Sequence, residues 1–194
     1  GSSYNTAVGS QAGYAVTTGT GNTLVGALAG DAITVGGNNV AVGYLALSEE
    51  TGGQDSVAVG TGALKTQTFS SGTRPGNIGI GLNAGLAITT GINNTITGTF
   101  AGDVLTDADD NTVYGSAALS SDTLGSRSVA IGSLALQYAN QTTATLSYNT
   151  AVGYNTGNAV STGIRNTLIG AQAGVGLTTG GSNVALGYEA LKNE

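Results

Sequence analysis

One nine-residue phrase governs what this chain can fold into. It is first complete at Asn5-Thr6-Ala7-Val8-Gly9-Ser10-Gln11-Ala12-Gly13 and returns as Asn22-Thr23-Leu24-Val25-Gly26-Ala27-Leu28-Ala29-Gly30. Eleven copies occur, with marker glycines at Gly9, Gly26, Gly43, Gly60, Gly81, Gly98, Gly115, Gly132, Gly153, Gly170 and Gly187. The steps between them are 17, 17, 17 and 21 residues, repeated, then 17 and 17, so a 72-residue period contains the shorter one. Self-similarity at such a period specifies a solenoid, in which each repeat covers its neighbour's apolar surface.

The columns of the aligned copies say what each position does. Four places before the marker stands Asn in nine copies, with Ser56 and Ser128 in the two fourth coils. Asn suits a corner, where its side chain bonds local backbone and its own backbone tolerates left-handed geometry. Stacked at one corner, it also bonds to the Asn above and below. Both readings stand at this point. The next three residues are short and β-prone, as in Val40-Ala41-Val42 and Ile78-Gly79-Ile80. Neighbouring strand residues point to opposite faces, and here both faces are apolar. A strand of that kind is buried on both sides, while one coil has one interior. Other copies of the chain are the simplest cover for the second face.

Ala follows the marker by three places in ten copies, with Thr156 the exception, as expected where two walls approach closely. One place later the column reads Gly, Gly, Leu, Leu in turn. Three further on, the Gly coils carry Val16, Ile33, Ile88, Leu105, Val160 and Leu177, and the Leu coils carry Glu50, Gln67, Asp122 and Ala139. Each coil thus supplies one bulky aliphatic from one of two places, which is volume compensation in a packed core. A Thr column eight places after the marker runs from Thr17 to Thr178 and reads as the end of a second strand.

The resulting expectation is an all-β fold, a parallel β-solenoid of eleven coils of 17 residues with a 21-residue coil every fourth. Each coil is expected to hold two strands, and no helix is expected. Residues 1–3 read as a tag or linker, and residues 4–194 as a single repeat domain with super-repeats 4–75, 76–147 and a partial 148–194. The chain begins and stops within the pattern and reads as a piece of a longer protein. A roll this thin has a small core, so trimerisation would bury more apolar surface.

Composition narrows function. The chain has no Cys and no His, which removes the common nucleophile–base pairs, and its Asp and Glu show no pairing pattern, so no catalytic residue and no cofactor are expected. The net charge of −6 with five scattered Lys and Arg speaks against a nucleic-acid partner. No apolar run of about 20 residues is present to insert in a membrane. The acidic stretch from Asp107 to Asp110, with Asp103 nearby, is a candidate cation loop, although no calcium-loop motif accompanies it; a solvated acidic turn is the plainer reading. The insertions lie within residues 69–75 and 140–145, and insertions in solenoids map to one face, often the binding face. Phe69, Arg74 and Tyr138 flank them and are the candidate receptor contacts, with packing at coil corners as the competing role.

The phrases Asn149-Thr150-Ala151-Val152-Gly153-Tyr154 and Asn183-Val184-Ala185-Leu186-Gly187-Tyr188-Glu189-Ala190-Leu191, joined by Thr-Thr-Gly turns, resemble the repeats of bacteriophage tail fibres that often end in an S74-type intramolecular chaperone. Ser56-Val57-Ala58-Val59-Gly60 and Ser128-Val129-Ala130-Ile131-Gly132 are similar to the YadA-like head repeat of trimeric autotransporter adhesins. The resemblance covers the chain from Tyr4 onward. It implies a left-handed β-roll, a homotrimer, and a place on a virion tail fibre or at an extracellular cell surface, with a host glycan or protein receptor as partner. Two departures stand out, since the repeats here are longer than those of adhesin heads and the fourth-coil insertion is extra. An adhesin head is the alternative to a fibre segment. A third reading, from another class, is an ice-binding β-solenoid, suggested by the Thr column.

Overall fold

The computed structural model describes residues 3–193; of the tag or linker expected at residues 1–3 all but Ser3 lies outside them, as does Glu194. Ser3 already joins the stack, because its carbonyl accepts the Gly21 N–H at 2.8 Å. The strands run in chain order as β1 (Thr6–Val8), β2 (Thr23–Val25), β3 (Val40–Val42), β4 (Val57–Val59), β5 (Ile78–Ile80), β6 (Thr95–Thr97), β7 (Thr112–Tyr114), β8 (Gly125–Ser126), β9 (Val129–Ile131), β10 (Thr145–Leu146), β11 (Thr150–Val152), β12 (Thr167–Ile169) and β13 (Val184–Leu186). All but β8 and β10 form one 11-stranded sheet, each strand beside its sequence neighbour. Every pairing is parallel, and register matches repeat to repeat, with Ala7 beside Leu24 and Leu24 beside Ala41. The register also carries across the longer steps, with Val57 beside Ile78 and Val129 beside Thr150. The molecule is a parallel β-solenoid of about eleven turns, and no helix occurs among the described residues.

One expectation needs correction. Most coils hold a single three-residue strand, not two; among the described residues the only second strands are β8 and β10, which pair with each other. The reason lies in backbone geometry. The residues two and four places after the marker are left-handed in every coil, for example Leu45 (φ 57°), Leu47 (φ 53°), Asn83 (φ 56°) and Gly85 (φ 60°). Two left-handed residues so close together wind the chain into consecutive turns and leave no extended run. Leu in this conformation costs about 1–2 kcal/mol per residue. The stack offsets that cost through inter-coil bonds such as Leu47 N–H to the Ala63 carbonyl at 3.0 Å.

The marker glycines share φ between 122° and 143°. A β-carbon on Gly26 would lie 2.5 Å from the Gly43 carbonyl oxygen. Backbone packs on backbone there, so no side chain fits and the column admits glycine alone.

In every three-residue strand from β2 onward the middle residue is buried and its two neighbours are partly or fully exposed. The inner column is therefore Leu24, Ala41, Ala58, Gly79, Ile96, Val113, Ala130, Ala151, Leu168 and Ala185, packed on the buried Ala that follows the marker by three. Volume compensation is visible directly. Leu47, Leu64, Leu119 and Leu136 are fully buried, as are Ile33, Ile88, Leu105 and Val160 from the later place. A β-carbon at Gly30 would lie 2.8 Å from both Ile33 and Leu24, so the glycine leaves room that those side chains take.

The corner Asn residues form the ladder. Asn22 Nδ2 donates to the Gly36 carbonyl at 2.9 Å, and Asn22 Oδ1 accepts the Asn39 N–H at 3.0 Å. The same pattern links Asn77, Asn94 and Asn111. The left-handed residue is the one before each Asn, such as Asn38 (φ 57°) and Asp110 (φ 58°), so the Asn column itself is chosen for its amide. At Ser56 the ladder detours. Gln67 Nε2 donates to Ser56 Oγ at 2.9 Å and to Glu50 Oε2 at 3.0 Å, while Gln67 Oε1 accepts from Asn77 Nδ2 at 2.9 Å. Glu50 Oε1 accepts four backbone N–H groups, from Thr51, Gly52, Gly53 and Phe69, at 2.7–3.1 Å. Both side chains are fully buried. Every polar group that this plug takes from water has a partner, which is the condition for burying it at tolerable cost.

Candidate functional site

The outward positions of the strands make the most extensive candidate surface. The last residue of each strand gives the column Val8, Val25, Val42, Val59, Ile80, Thr97, Tyr114, Ile131, Val152, Ile169 and Leu186. Ile80, Ile131 and Ile169 are each 37–40% exposed, and Tyr114 is 61% exposed. β-Branched residues suit the pleated strand locally, but their outward side chains find no cover within the chain. Eleven strands at about 4.8 Å spacing and about 10 Å of strand length give a strip on the order of 500 Å². Half of the strip is this apolar column; the other half is the first residue of each strand, which is Thr at six levels and Val or Ile at the other five. The residues directly after the marker glycine extend the strip with Tyr44, Leu82, Tyr154 and Tyr188, all exposed.

A second column borders the strip, five places before the marker, where every residue is left-handed. Asp110 Oδ2 lies 3.4 Å from Arg127 Nε, and Arg127 Nη1 donates to the Tyr148 hydroxyl at 2.8 Å. Asp55 belongs to the same column and pairs with Arg74 at 3.4 Å. These are pairs between exposed groups at the surface, and such pairs add little to stability. Asp55, Asp110, Arg127 and Arg165 place charge at four of the eleven levels of this column.

The three proposed contact residues do not come together. Phe69 is only 9% exposed and its backbone serves the plug, donating to Glu50 and accepting from Thr51 Oγ1 and Gly52. Arg74 is exposed and held by Asp55. Tyr138 is 55% exposed but stands in the coil of β9, four strands along the sheet from the coil of β4 that precedes Phe69 and Arg74. At strand spacing that is about 19 Å.

The acidic stretch is resolved into separate contacts. Asp107 accepts from the hydroxyls of Thr89 and Thr90, which hold its carboxyl below the usual range. Asp109 Oδ1 accepts the Ile92 N–H at 2.8 Å, and Asp110 faces Asn93 and Arg127. Among the described residues no group of three or more His, Cys, Asp or Glu is placed to hold a metal ion. Asp103 stands apart, half-buried with one oxygen unpartnered, and burial raises its carboxyl.

Sequence reasoning passed over the buried polar residues Glu50, Gln67, Asp122 and Gln141. A signal for the first three was present, since their column holds Ile33 and Ile88 in other coils and is therefore a core column. Gln141 carries no such signal, because it lies inside an insertion.

Compared with family models, curated proteins and solved structures, the chain matches none.

Proposed function

We propose that this chain is a structural, adhesive segment of a trimeric fibre, of the phage tail-fibre kind, that spans toward or contacts a receptor on a host surface. In this reading the rod is a homotrimer of left-handed rolls with a 21-residue coil at every fourth place, displayed on a virion or at a cell surface. The observation that carries it is the unbroken outward column from Val8 to Leu186, apolar at every level but Thr97. A stable interface uses about 800 Å² per partner. The strip with its post-glycine tyrosines approaches that size on one face of a straight rod. Parallel rods in register would set each coil's Val or Ile against the same coil of the neighbours. The charged border of Asp55, Asp110 and Arg127 would then lie at the rim, where it favours register over affinity. A structural rather than catalytic role fits the polar groups, whose partners are mostly backbone.

The ice-binding reading draws less support. The hydroxyls of Thr17, Thr34, Thr106 and Thr123 each donate to the carbonyl of the next coil at 2.9–3.1 Å, so they are engaged in the stack.

Analytical ultracentrifugation of the wild type and of the double variant Val59→Asp/Ile131→Asp tests the assembly. The expected result is a trimer that becomes monomeric in the variant while the β circular dichroism persists. A wild type that sediments as a monomer across the micromolar range rejects it. Binding of the trimer to host-surface glycans is the separate test of adhesion.

A further inference from the structure

The two super-repeats complete their fourth coils differently. Gln67 stands seven places after the marker in the first, and Ala139 stands there in the second. Gln67 serves three partners, namely Glu50, Ser56 and Asn77. Ala139 ends at its β-carbon. Yet the residues that an amide would serve are still in place, with Asp122 for Glu50 and Ser128 for Ser56. Asp122 Oδ1 accepts the N–H groups of Gly125 and Gln141 at 3.1 and 2.9 Å. Asp122 Oδ2, Ser128 Oγ, Gln141 Nε2 and Ser147 Oγ are all buried without a partner. The four residues are 1%, 1%, 6% and 1% exposed, so bulk solvent does not serve them.

Asp122 Oδ2 and Ser147 Oγ meet at Gly125, Gln141 is tied to the same carboxylate through its N–H, and Ser128 holds the place of Ser56, which Gln67 reaches in the first super-repeat. A β-carbon on Gly125 would touch Asp122 Oδ2 and lie 2.9 Å from Ser147 Oγ. Gly53 holds the matching position in the first super-repeat, where its β-carbon would lie 2.7 Å from Glu50 Oε2. Ser147 is fixed by its N–H to the Ser126 carbonyl, and Ser128 by its N–H to Asn111 Oδ1. Asn149 Nδ2 donates to the Gly163 carbonyl, whereas its counterpart Asn77 donates to both Gly91 and Gln67.

We propose that Asp122, Ser128, Gln141 and Ser147 form an internal water-binding site that takes over the role of the Gln67 amide. The hydrogen-bond inventory fits one water. Asp122 Oδ2 as a carboxylate only accepts, Gln141 Nε2 only donates, and each serine hydroxyl does either. A water donating to Asp122 and Ser128 and accepting from Gln141 and Ser147 has four partners, within the two to four that buried waters make. A bare cation fits less well, because the Gln141 N–H₂ would be turned toward it. The first super-repeat thus joins its buried carboxylate to the corner serine with a side chain and the second with solvent.

Oxygen-17 relaxation dispersion of water counts long-lived internal waters in the whole chain. The comparison is wild type and Ala139→Gln. The expected result is a dispersion amplitude lower by about one water in Ala139→Gln. Equal amplitudes in wild type and Ala139→Gln overturn the proposal, as does a high-resolution map showing an alkali cation at Asp122 Oδ2. Should Ala139→Gln fail to fold, the wild type alone carries the test, and an amplitude with no long-lived internal water overturns the proposal.

Discussion

In the coil of Gly26, Gly30 leaves space and Ile33 fills it; in the coil of Gly60, Leu64 fills the core first and Gln67 takes the later place. Both kinds of coil occupy the same cross-section, and both use the same left-handed backbone at the fourth residue, with φ of 55° at Gly30 and 47° at Leu64. What differs is the chemistry of the second filler. The Gly coil closes with hydrocarbon, which asks only for volume. The Leu coil at this level closes with amide and carboxylate, which ask for every hydrogen bond as well. The lesson is that volume can be shared between two places freely, but polarity can be admitted only where the ladder has a gap to receive it. That gap is at Ser56, where the corner residue has no amide of its own.

The sharpest break of this comparison is Glu50→Ala. It removes the acceptor of four backbone N–H groups and one Gln67 amide proton. At about 1–3 kcal/mol for each buried group left unpaired, the expected loss is on the order of 4 kcal/mol or more in urea unfolding. Amide exchange at Gly52, Gly53 and Phe69 should rise with it. A loss under about 1 kcal/mol would mean that solvent reaches these groups and the plug is not a core.

Next in size is Gly30→Leu, which turns a Gly coil into an overfilled one. Its β-carbon meets Ile33 and Leu24 at 2.8 Å, so a cost of about 1–3 kcal/mol is expected. Combining it with Ile33→Ala should recover at least about 1 kcal/mol relative to the sum of the two singles. Additive losses would show that the two places do not share one volume.

A smaller effect is expected from Thr106→Val. Its hydroxyl donates to the Thr123 carbonyl at 3.1 Å and is partly buried. The loss should be about 1 kcal/mol, and it tests whether side-chain rungs outside the Asn corner contribute to the stack in either kind of coil.

Much of this architecture is legible in the sequence because each coil repeats one set of demands. A glycine column appears where a carbonyl of the next coil sits against the α-carbon, as Gly26 meets Gly43. Paired Gly/Leu and Ile/Gln columns appear because one volume is filled from two sites. Three things were not legible. In most coils the second strand is absent because residues such as Leu28 and Leu45 adopt positive φ, which side-chain sterics argue against and inter-coil bonding imposes. Phe69 looks like an exposed insertion aromatic but is drawn in by the Glu50 plug. Gln141 lies in the 140–145 insertion, and nothing in an insertion indicates which of its side chains turns inward.

The finest test compares the two plugs through pH. Burial raises the Asp122 carboxyl above its ordinary value, in spite of backbone N–H groups that lower it. A group with a raised folded value binds more protons folded than unfolded, so stability falls as pH rises. For Asp122 its share is fully present below the unfolded carboxyl range and is lost as pH rises through the raised folded value. Asp107 has the opposite sign, because the Thr90 and Thr89 hydroxyls lower it, and its share is lost as pH falls. Asp122→Asn should therefore remove part of the decline on the alkaline side of the carboxylate range and leave the acid limb of Asp107 in place. The measurement is the difference in urea midpoint between wild type and variant across that range, which cancels the other carboxylates. A flat difference would mean that Asp122 titrates as an ordinary surface carboxylate, and the second plug would then be open to water rather than enclosed.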